Sequence, residues 1–546
     1  MGVMPHTNNP CDWHRRNKGQ GLVRLTKNGQ DNCVQVWLVG AGPGDIGLIS
    51  VRGMQQLRQA EVVVFDALVN PAFLNEVPPE AERIDVGKRA GEHKLDQEKI
   101  NQLLVAKAKS GQRVVRLKGG DPYLFGRGAE EASYLARHGI RFEVVPGITA
   151  GIAAPMFAGF PVTHREFAST VTFVTGHEDP GKNGSAVDYG ALAALIRQGG
   201  TVCFYMGVSR LGQIVEALQN NNLGGQTPVG VVQWGTLPQQ RSVRTTLTRA
   251  RAEVEAAGIA APAMIVVGQV VSVDDPGLDF FCNRPLFGQR VMITRTRQQA
   301  SVLRERLEVL GALTLEAPTI ELVPPQDWNN VDAAISAIDE YDWLVLTSVN
   351  GVEALADRMG KLQLDGRHLS AVKIAAIGNA TSEALHRRVG IRADLVPSHF
   401  VSQSLADELI ALGDVKDRRF LLLRADIAGS LLPEKFAEAG AYVTEVAAYQ
   451  TKSAARLPDD CLEALRQDRV DWITFTSSST AENLVDLLGD ERKLLENVQI
   501  ASIGPVTSKT VRRLGLAITV EAATSNIGGL VAAITESTGH GHRVAQ

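Results

Sequence analysis

The sequence predicts an α/β fold made of several compact units, and three observations support this. Short runs rich in Val and Ile alternate with stretches of helical periodicity along nearly the whole chain. Glycine is abundant, with 52 of 546 residues, whereas aromatic residues make up only 5%, as is typical of chains with many strand-to-helix turns. At roughly 100 to 200 residues per domain, a chain of 546 residues corresponds to three or four units.

The first half contains seven predicted strands separated by helices and turns. The strands are expected at 36–39, 62–65, 114–117, 171–174, 202–205, 229–232 and 264–267. Helical periodicity is clearest at 49–58, 97–109 and 129–138. Turn-forming residues around 274–290 predict a linker at 276–289, which separates a first half at 35–275 from a second half at 290–546. Residues 1–34 have no apolar signal segment and are expected to be a flexible extension, or to reflect a start codon placed too early.

Charge and cysteine content exclude several classes of protein. The 56 Lys and Arg residues against 60 Asp and Glu give a net charge of -4, which argues against binding nucleic acid by bulk charge. No apolar run approaches the ~20 residues that span a bilayer. The five cysteines are scattered, with no C-x-x-C pair and no zinc-site spacing, so we expect a reducing, cytoplasmic location and no metal.

The second half contains an internal repeat. Eight residues recur 129 positions later and four more recur 126 positions later. The pairs are Arg295/Arg424, Gly311/Gly440, Ala312/Ala441, Glu316/Glu445, Asp342/Asp471, Trp343/Trp472, Thr347/Thr476 and Ser348/Ser477, then Ile377/Ile503, Gly378/Gly504, Thr381/Thr507 and Ser382/Ser508. This period is too long for a solenoid, so we expect two similar α/β lobes of about 125 residues around a cleft.

Hydroxyl-rich turns in these lobes are candidates for binding a polyanion. Each turn follows a predicted strand and precedes a helix, where free backbone N–H groups suit carboxylates or phosphates. The candidate substrate-binding residues are Thr347, Ser348, Asn350, Thr476, Ser477 and Thr507. The alternative is that the Ser and Thr residues only cap their helices. No nucleophile or metal ligand accompanies them, so catalysis here would rest on holding a reactive substrate in shape.

Three Gly-rich loops in the first half predict a nucleotide-like ligand. The loop at 39–45 resembles a dinucleotide fingerprint, but Asp45 opposes a pyrophosphate and Pro43 removes a backbone donor, so a dehydrogenase is disfavoured. The loop at 119–128 contains Asp121, which could accept hydrogen bonds from ribose hydroxyls or an amine. With a third loop at 146–151, the set favours a folded nucleoside-like ligand with a positive centre.

These residues resemble the uroporphyrinogen-III C-methyltransferases of the tetrapyrrole methylase family. The motifs that carry the resemblance are 39–45 (VGAGPGD), 65–69 (FDALV), 86–89 (VGKR), 117–131 (LKGGDPYLFGRGAEE), 145–150 (VPGITA), 175–177 (TGH), 205–207 (YMG) and 233–236 (QWGT). The match spans residues 35–275. The alternative is another methylase of the superfamily, acting on a different ring position or on a diphthamide intermediate.

This resemblance implies a bilobal fold, a cofactor and a set of site residues. S-adenosylmethionine (SAM) would bind between lobes at 35–149 and 150–275. The cofactor contacts that the family motifs imply are Pro43, Gly119, Gly120, Asp121, Leu124, Thr149, Ala150, Met206 and Gly235. Asp66 would be the catalytic base and Lys88 the acid, although Lys88 could equally bind a substrate carboxylate. The family also implies a homodimer.

The second half is similar to uroporphyrinogen-III synthase, a bilobal enzyme without metal or cofactor that closes hydroxymethylbilane into a ring. The similarity rests on 347–352, 448–451, 475–478 and 503–507. Tyr449 breaks the repeat, since its counterpart is Ile320, and its phenol could help the hydroxyl leave as water. The alternatives are a core role for Tyr449 and a non-catalytic bilobal ligand-binding module for this half.

Together the resemblances imply a bifunctional enzyme of tetrapyrrole biosynthesis. The second half would make uroporphyrinogen III, and the first half would methylate it at C2 and C7 to give precorrin-2. The product would feed siroheme or cobalamin synthesis. The expected partners are tetrapyrrole substrates and a second copy of the chain, with no nucleic acid and no membrane.

Overall fold

The structure is a computed structural model that describes residues 34–87, 96–176, 187–295, 297–399 and 402–539. It divides into two compact units, one ending at Thr149 and the other beginning at Ala150. Residues 1–33 of the expected N-terminal extension lie outside the described part. Among the described helices, none is both long and apolar enough to cross a membrane.

The first unit is a five-stranded parallel sheet of order β3-β2-β4-β1-β5. The strands are β1 (Val36–Gly40), β2 (Val62–Phe65), β3 (Glu82–Asp85), β4 (Val114–Lys118) and β5 (Phe142–Val145), and the helices are α1 (Val51–Leu57), α2 (Gln97–Lys109) and α3 (Gly128–Arg137). Apolar clusters cover both faces of this sheet, which explains why its central strands are continuous apolar runs rather than alternating ones. Because β1, β2 and β4 are parallel, their carboxyl ends lie at the same edge of the sheet.

The second unit begins with a mixed sheet of order β6-β7-β10-β8-β9. Its strands are β6 (Val171–Thr175), β7 (Thr201–Tyr205), β8 (Pro228–Gln233), β9 (Arg241–Thr246) and β10 (Ala263–Val267), and its helices are α4 (Ala150–Phe157), α5 (Tyr189–Arg197), α6 (Leu211–Asn220) and α7 (Ala250–Ala256). Each predicted strand of the first half is thus present, within one residue at either end.

The turn-rich segment 276–289 contacts the part of the chain that precedes it, at Phe157, and the part that follows it, at Leu310. Phe281 is buried, and its ring centroid lies 4.8 Å from that of Phe157 and 5.3 Å from that of Phe287. The backbone N–H of Leu286 donates to the carbonyl of Leu310 at 2.9 Å. Burial of these aromatic rings fixes the segment in place.

The remaining chain forms two five-stranded sheets, β12-β11-β18-β19-β20 and β13-β17-β16-β14-β15. The strands are β11 (Arg290–Ile293), β12 (Leu313–Glu316), β13 (Ile320–Val323), β14 (Trp343–Leu346), β15 (Lys373–Ala376), β16 (Arg419–Ala425), β17 (Tyr442–Ser453), β18 (Trp472–Phe475), β19 (Gln499–Ser502) and β20 (Val520–Glu521). The helices are α8 (Arg297–Val309), α9 (Asn329–Ser336), α10 (Val349–Lys361), α11 (Asn379–Val389), α12 (Ser402–Ala411), α13 (Leu431–Glu438), α14 (Asp459–Arg466), α15 (Ser478–Leu488), α16 (Pro505–Arg513) and α17 (Ile527–Gly539). The α/β fold class is confirmed.

The sequence repeat corresponds to equivalent elements, but each repeat does not form its own lobe. Strands β14 and β18 begin 129 residues apart, as do helices α10 and α15. However, β11 and β12 of the first repeat share a sheet with β18 and β19 of the second, whereas β14 and β15 share one with β16 and β17. The expectation of one lobe per repeat is therefore wrong, and each sheet combines strands from both repeats.

The long strand β17 accounts for this exchange. Its first part pairs in parallel with β16, and its last four residues pair antiparallel with β13. The chain leaves the sheet that contains β11 and β12 after β12, and it returns to that sheet after β17. The two segments in which the chain passes between the sheets are joined by a hydrogen bond from the Ala454 N–H to the Thr319 carbonyl at 3.0 Å. The strand pairing thus depends on contacts between residues that are far apart in the sequence.

Candidate active sites

The first Gly-rich loops meet at the carboxyl edge of the first sheet. The backbone of Gly120 donates to the carbonyl of Gly42 at 2.7 Å, and Gly42 donates back to Gly120 at 3.2 Å. Gly42 and Gly120 have φ angles of 78° and 68°, which glycine adopts without strain. Pro43 follows Gly42 directly, so the loop after β4 lies against the loop that contains Pro43.

Glycine is required here by close backbone contact as well as by conformation. A Cβ atom on Gly147 would lie 2.2 Å from the Gly120 carbonyl oxygen, and one on Gly40 would lie 2.6 Å from the Gly147 Cα. A Cβ on Gly119 would be 3.3 Å from the Cβ of Leu68. The three loops are therefore packed backbone to backbone.

The Asp121 carboxylate joins two of these loops. One of its oxygens accepts the backbone N–H groups of Tyr123 and Leu124, at 2.8 and 3.2 Å, and the other accepts that of Gly147 at 3.0 Å. Since a carboxylate offers roughly four acceptor directions, about one remains for a ligand. Asp121 thus organises the loops, a role that was not predicted from the sequence, from which only ligand contacts were expected.

Substitution of Gly147 by alanine should separate the packed loops. The new Cβ would overlap the Gly120 carbonyl, and we expect a loss of about 1–3 kcal/mol of unfolding free energy together with weaker cofactor binding. Calorimetric titration with S-adenosylhomocysteine, alongside thermal unfolding, would measure both effects. The matched control is Gly224→Ala, because nothing lies within 4 Å of a Cβ at that position. Equal behaviour of the two variants would contradict the packing argument.

The second unit gathers three further candidate residues around the start of α4. Ala150 is the first residue of this helix, and the N–H of the next residue, Gly151, donates to the Tyr205 hydroxyl at 2.8 Å. Met206 follows Tyr205 and is 50% exposed. Its φ angle of 55° is uncommon for a residue other than glycine. A Cβ on Gly235 would lie 2.4 Å from the Cβ of Ala154, one turn further along α4.

The other two cofactor candidates lie in the first unit. Leu124 is half-buried in the loop after β4, and Thr149 is buried where the unit ends. The structure therefore groups Pro43, Gly120 and Asp121 within the first unit and Ala150, Met206 and Gly235 within the second.

Asp66 lies at the end of β2 within a buried cluster of charges. Its carboxylate forms an ion pair with the guanidinium of Arg116 and lies 3.8 Å from the Lys118 ammonium. Both cations also contact the Glu131 carboxylate, each at 3.1 Å. Arg116, Lys118 and Glu131 are each at most 3% exposed. Asp66 is thus held by fixed cations, and Lys88, its expected partner, lies outside the described residues.

The pKa values of the two cations of this cluster are shifted in opposite directions. Burial opposes the charge of Arg116, but the carboxylates of Asp66 and Glu131 outweigh it, so that the pKa of Arg116 is raised. Burial and the neighbouring Arg116 charge lower the pKa of Lys118, against the influence of Glu131 and Asp66. Lys118 therefore releases a proton more readily than an exposed lysine.

This cluster was not predicted from the sequence, although the chain contains a signal for it. Arg116 and Lys118 alternate with apolar residues along β4, and alternate residues of a strand project from the same face. Two cations on one face of a strand buried on both sides imply carboxylate partners.

Tyr449 and Ser348 lie together in the duplicated half. The Tyr449 hydroxyl is 3.0 Å from the Ser348 hydroxyl, and either group could be the donor. Tyr449 follows an irregularity in the pairing of β16 with β17, because Arg424 pairs with Ala447 whereas Ala425 pairs with Tyr449. Such a bulge redirects the side chains that follow it. A candidate catalytic residue and a candidate substrate-binding residue are thus in direct contact.

The hydroxyl-rich turns have the helix-capping role that was considered as an alternative. Ser348 caps α10 by accepting the Gly351 N–H at 3.2 Å, and Ser477 caps α15 by accepting the Thr480 N–H at 3.3 Å. The remaining candidates lie in or beside these caps and the start of α16. Thr347 and Thr476 are half-buried, and Asn350 and Thr507 are buried.

Arg295 is a further candidate substrate-binding residue that was not predicted from the sequence. Its counterpart in the repeat, Arg424, is ion-paired with Glu445. The residue equivalent to Glu445 is Glu316, which instead lies 3.3 Å from Arg304. Burial lowers the pKa of Arg295, which has no ion pair with a described residue. A half-buried cation just beyond β11 suits a substrate carboxylate.

Within the described residues, no group of three or more His, Cys, Asp or Glu side chains could hold a metal ion. The three cysteines in this part of the chain are free.

Two different family models match the two halves of the chain. Residues 35–251 match the family described as Tetrapyrrole (Corrin/Porphyrin) Methylases. Residues 301–532 match the family described as Uroporphyrinogen-III synthase HemD.

Individual relatives span one half or both. The porphyrin biosynthesis protein HemD of Ruminiclostridium josui is 36% identical over 504 residues, which cover 92% of this chain and 98% of that protein. An S-adenosyl-L-methionine-dependent uroporphyrinogen III methyltransferase of Methanosarcina barkeri is 48% identical over 255 residues, 46% of this chain and 99% of that protein. A siroheme synthase of Chromobacterium violaceum is 47% identical over 252 residues, 46% of this chain and 53% of that protein.

Both resemblances inferred from sequence motifs are thereby confirmed. The chain belongs to the tetrapyrrole methylase family in its N-terminal half and to the uroporphyrinogen-III synthase family in its C-terminal half.

Proposed function

We propose that the chain is a bifunctional enzyme of tetrapyrrole biosynthesis. The C-terminal half cyclises hydroxymethylbilane to uroporphyrinogen III, and the N-terminal half methylates this product at C2 and C7 to give precorrin-2. The observation that carries the proposal is the pair of family matches on one chain, because the product of a uroporphyrinogen-III synthase is the substrate of a uroporphyrinogen-III methyltransferase.

SAM is the proposed cofactor of the N-terminal half. The residues present fit a nucleoside, since the three Gly-rich loops meet at one sheet edge and Asp121 retains about one acceptor direction. The proposed contacts are Pro43, Gly119, Gly120, Asp121, Leu124 and Thr149 in the first unit, and Ala150, Met206 and Gly235 in the second. When bound, SAM supplies an electrophilic methyl group on a sulfonium.

Asp66 is the proposed base that takes the proton released from the methylated ring system. Arg116 positions it, because the buried guanidinium fixes the Asp66 carboxylate at the strand end. Lys88 remains the proposed acid. In the C-terminal half, Tyr449 is proposed to donate a proton to the hydroxyl that leaves as water, and Ser348 orients the phenol.

The wider setting is also proposed. The product enters siroheme or cobalamin synthesis, and the chain acts in the cytoplasm as a homodimer formed through its methyltransferase half. It needs neither nucleic acid nor a membrane.

The methyltransferase half can be tested separately from the synthase half. Purified protein given preformed uroporphyrinogen III and SAM should yield a product that carries two added methyl groups, as measured by mass spectrometry. An Asp66→Asn variant should bind S-adenosylhomocysteine normally but methylate at least about 100-fold more slowly, which is the lower end of typical general-base effects. Normal methylation by this variant would remove Asp66 from the proposed chemistry.

A further inference from the structure

A cavity of about 360 Å³ lies inside the second unit, where the two halves of the chain meet. Its lining comes from both halves. The methylase half contributes Gln233, Trp234, Gln239 and Arg241, and the synthase half contributes Arg290, Leu313 and Arg469. No function assigned above involves this cavity.

The residues that line the cavity include three arginines and no aspartate or glutamate. Arg241 donates to the carbonyl of Ala257 at 2.5 Å, whereas Arg290 and Arg469 form no ion pair with any residue in the described part of the chain. The nearby Asp471 carboxylate accepts the backbone N–H of Arg290 at 2.7 Å rather than its guanidinium. Three cations around one cavity repel each other, and this repulsion favours an anionic ligand.

The neutral part of the lining suits a ring that carries N–H groups. Gln239 has a buried amide oxygen with no hydrogen-bond donor among the described residues. Gln233 and Gln239 both line the cavity, and side-chain amides of this kind can accept hydrogen bonds from N–H groups. Trp234 adds an aromatic face against which a pyrrole could pack.

The position of the cavity separates it from the candidate synthase site. Arg290 and Leu313 are the first residues of β11 and β12, and Arg469 precedes β18. These parallel strands begin at the same edge of their sheet, so the cavity lies at their amino ends, whereas Ser477 follows the carboxyl end of β18. On the methylase side, Trp234 directly precedes the proposed cofactor contact Gly235.

We propose that this cavity binds the acidic side chains of the methylase substrate, so that residues of the synthase half help the other half to hold uroporphyrinogen III. This inference rests on the proposed function. The substrate carries eight carboxylates, some of which would form ion pairs with the three arginines. Its pyrrole N–H groups would donate hydrogen bonds to the Gln239 side chain. At 360 Å³ the cavity is near the lower end of the roughly 300–1,000 Å³ of small-molecule sites, so it takes one edge of the macrocycle rather than all of it.

The test is a double substitution in the synthase half that is read out in the methylase reaction. The full chain with Arg290→Gln and Arg469→Gln should show a KM for uroporphyrinogen III raised about tenfold, with kcat for methylation and the rate of hydroxymethylbilane cyclisation unchanged. Arg290→Lys with Arg469→Lys retains both charges and should recover much of the loss. The control pair is Arg392→Gln with Arg512→Gln, two exposed arginines without an ion pair in the described residues.

The outcomes separate this inference from the proposed function. Fluorescence titration with uroporphyrin III, a stable octacarboxylate, should show weaker binding to the glutamine variant than to the wild type. An unchanged KM, or an equal loss of both activities with a lower unfolding temperature, would overturn the inference. Failure of the wild-type protein to methylate uroporphyrinogen III would instead overturn the proposed function, whatever the titration shows.

Discussion

Replacement of Arg116 by methionine is expected to destabilise the first unit by about 3–5 kcal/mol and to abolish methylation. Methionine keeps much of the volume but removes the closer of the two cations that pair with Asp66 and one of the two cations that contact Glu131. Glu131 is fully buried, and one of its oxygens already lacks a hydrogen-bond partner among the described residues. A buried carboxylate with fewer partners is costly.

Hydrogen–deuterium exchange of peptides from residues 34–149 would measure this loss, because exchange reports the opening of one unit in a chain of several. The control is Arg58→Met, which removes an exposed ion pair with Glu76 at 2.7 Å and should cost less than about 1 kcal/mol. If the two variants exchange equally fast, the cluster does not stabilise the unit as argued.

Replacement of Tyr449 by phenylalanine is expected to shift the cyclisation product from the type-III toward the uncatalysed type-I isomer. The substitution removes only the hydroxyl, which lies 3.0 Å from that of Ser348, so the fold should lose no more than about 1 kcal/mol. Without the phenol, the hydroxyl group of the substrate leaves without an acid, and ring closure in solution competes.

Chromatography of the oxidised products would give the ratio of the two isomers. Tyr442→Phe is the matched control, because Tyr442 lies on the same strand and is 66% exposed. An unchanged ratio and rate for Tyr449→Phe would assign Tyr449 to the core and remove it from the mechanism.

Seven of the ten described strands of the first half could be predicted from sequence, because buried strands contain continuous runs of Val and Ile. Strands β3, β5 and β9 are less buried and were not predicted. The repeat could be found because equivalent residues such as Trp343 and Trp472 occupy equivalent strand positions. The pairing of strands could not be predicted, because a repeat shows which elements are alike but not which ones share hydrogen bonds. The last residues of β17 pair with β13 more than 120 positions away.

Only some features of the candidate sites could be predicted, because the sequence does not show which distant segments contact each other. Asp121 was correctly placed in a loop that follows a strand, and Gly147 was placed in a turn, but their contact with each other depends on loops that are distant in the sequence. The Tyr449 contact with Ser348 spans 101 residues and follows from the exchange of strands between repeats. Arg116 and Lys118 were passed over because charged residues on a strand are usually exposed, whereas here Glu131 of α3 neutralises them.

The most direct test of the bifunctional account is to supply the purified full chain with hydroxymethylbilane and SAM and to identify the product. We predict a type-III tetrapyrrole with two added methyl groups, formed without any other enzyme. Methylation of preformed uroporphyrinogen III, with no type-III product from hydroxymethylbilane, would contradict the account and would make the C-terminal half a non-catalytic ligand-binding module.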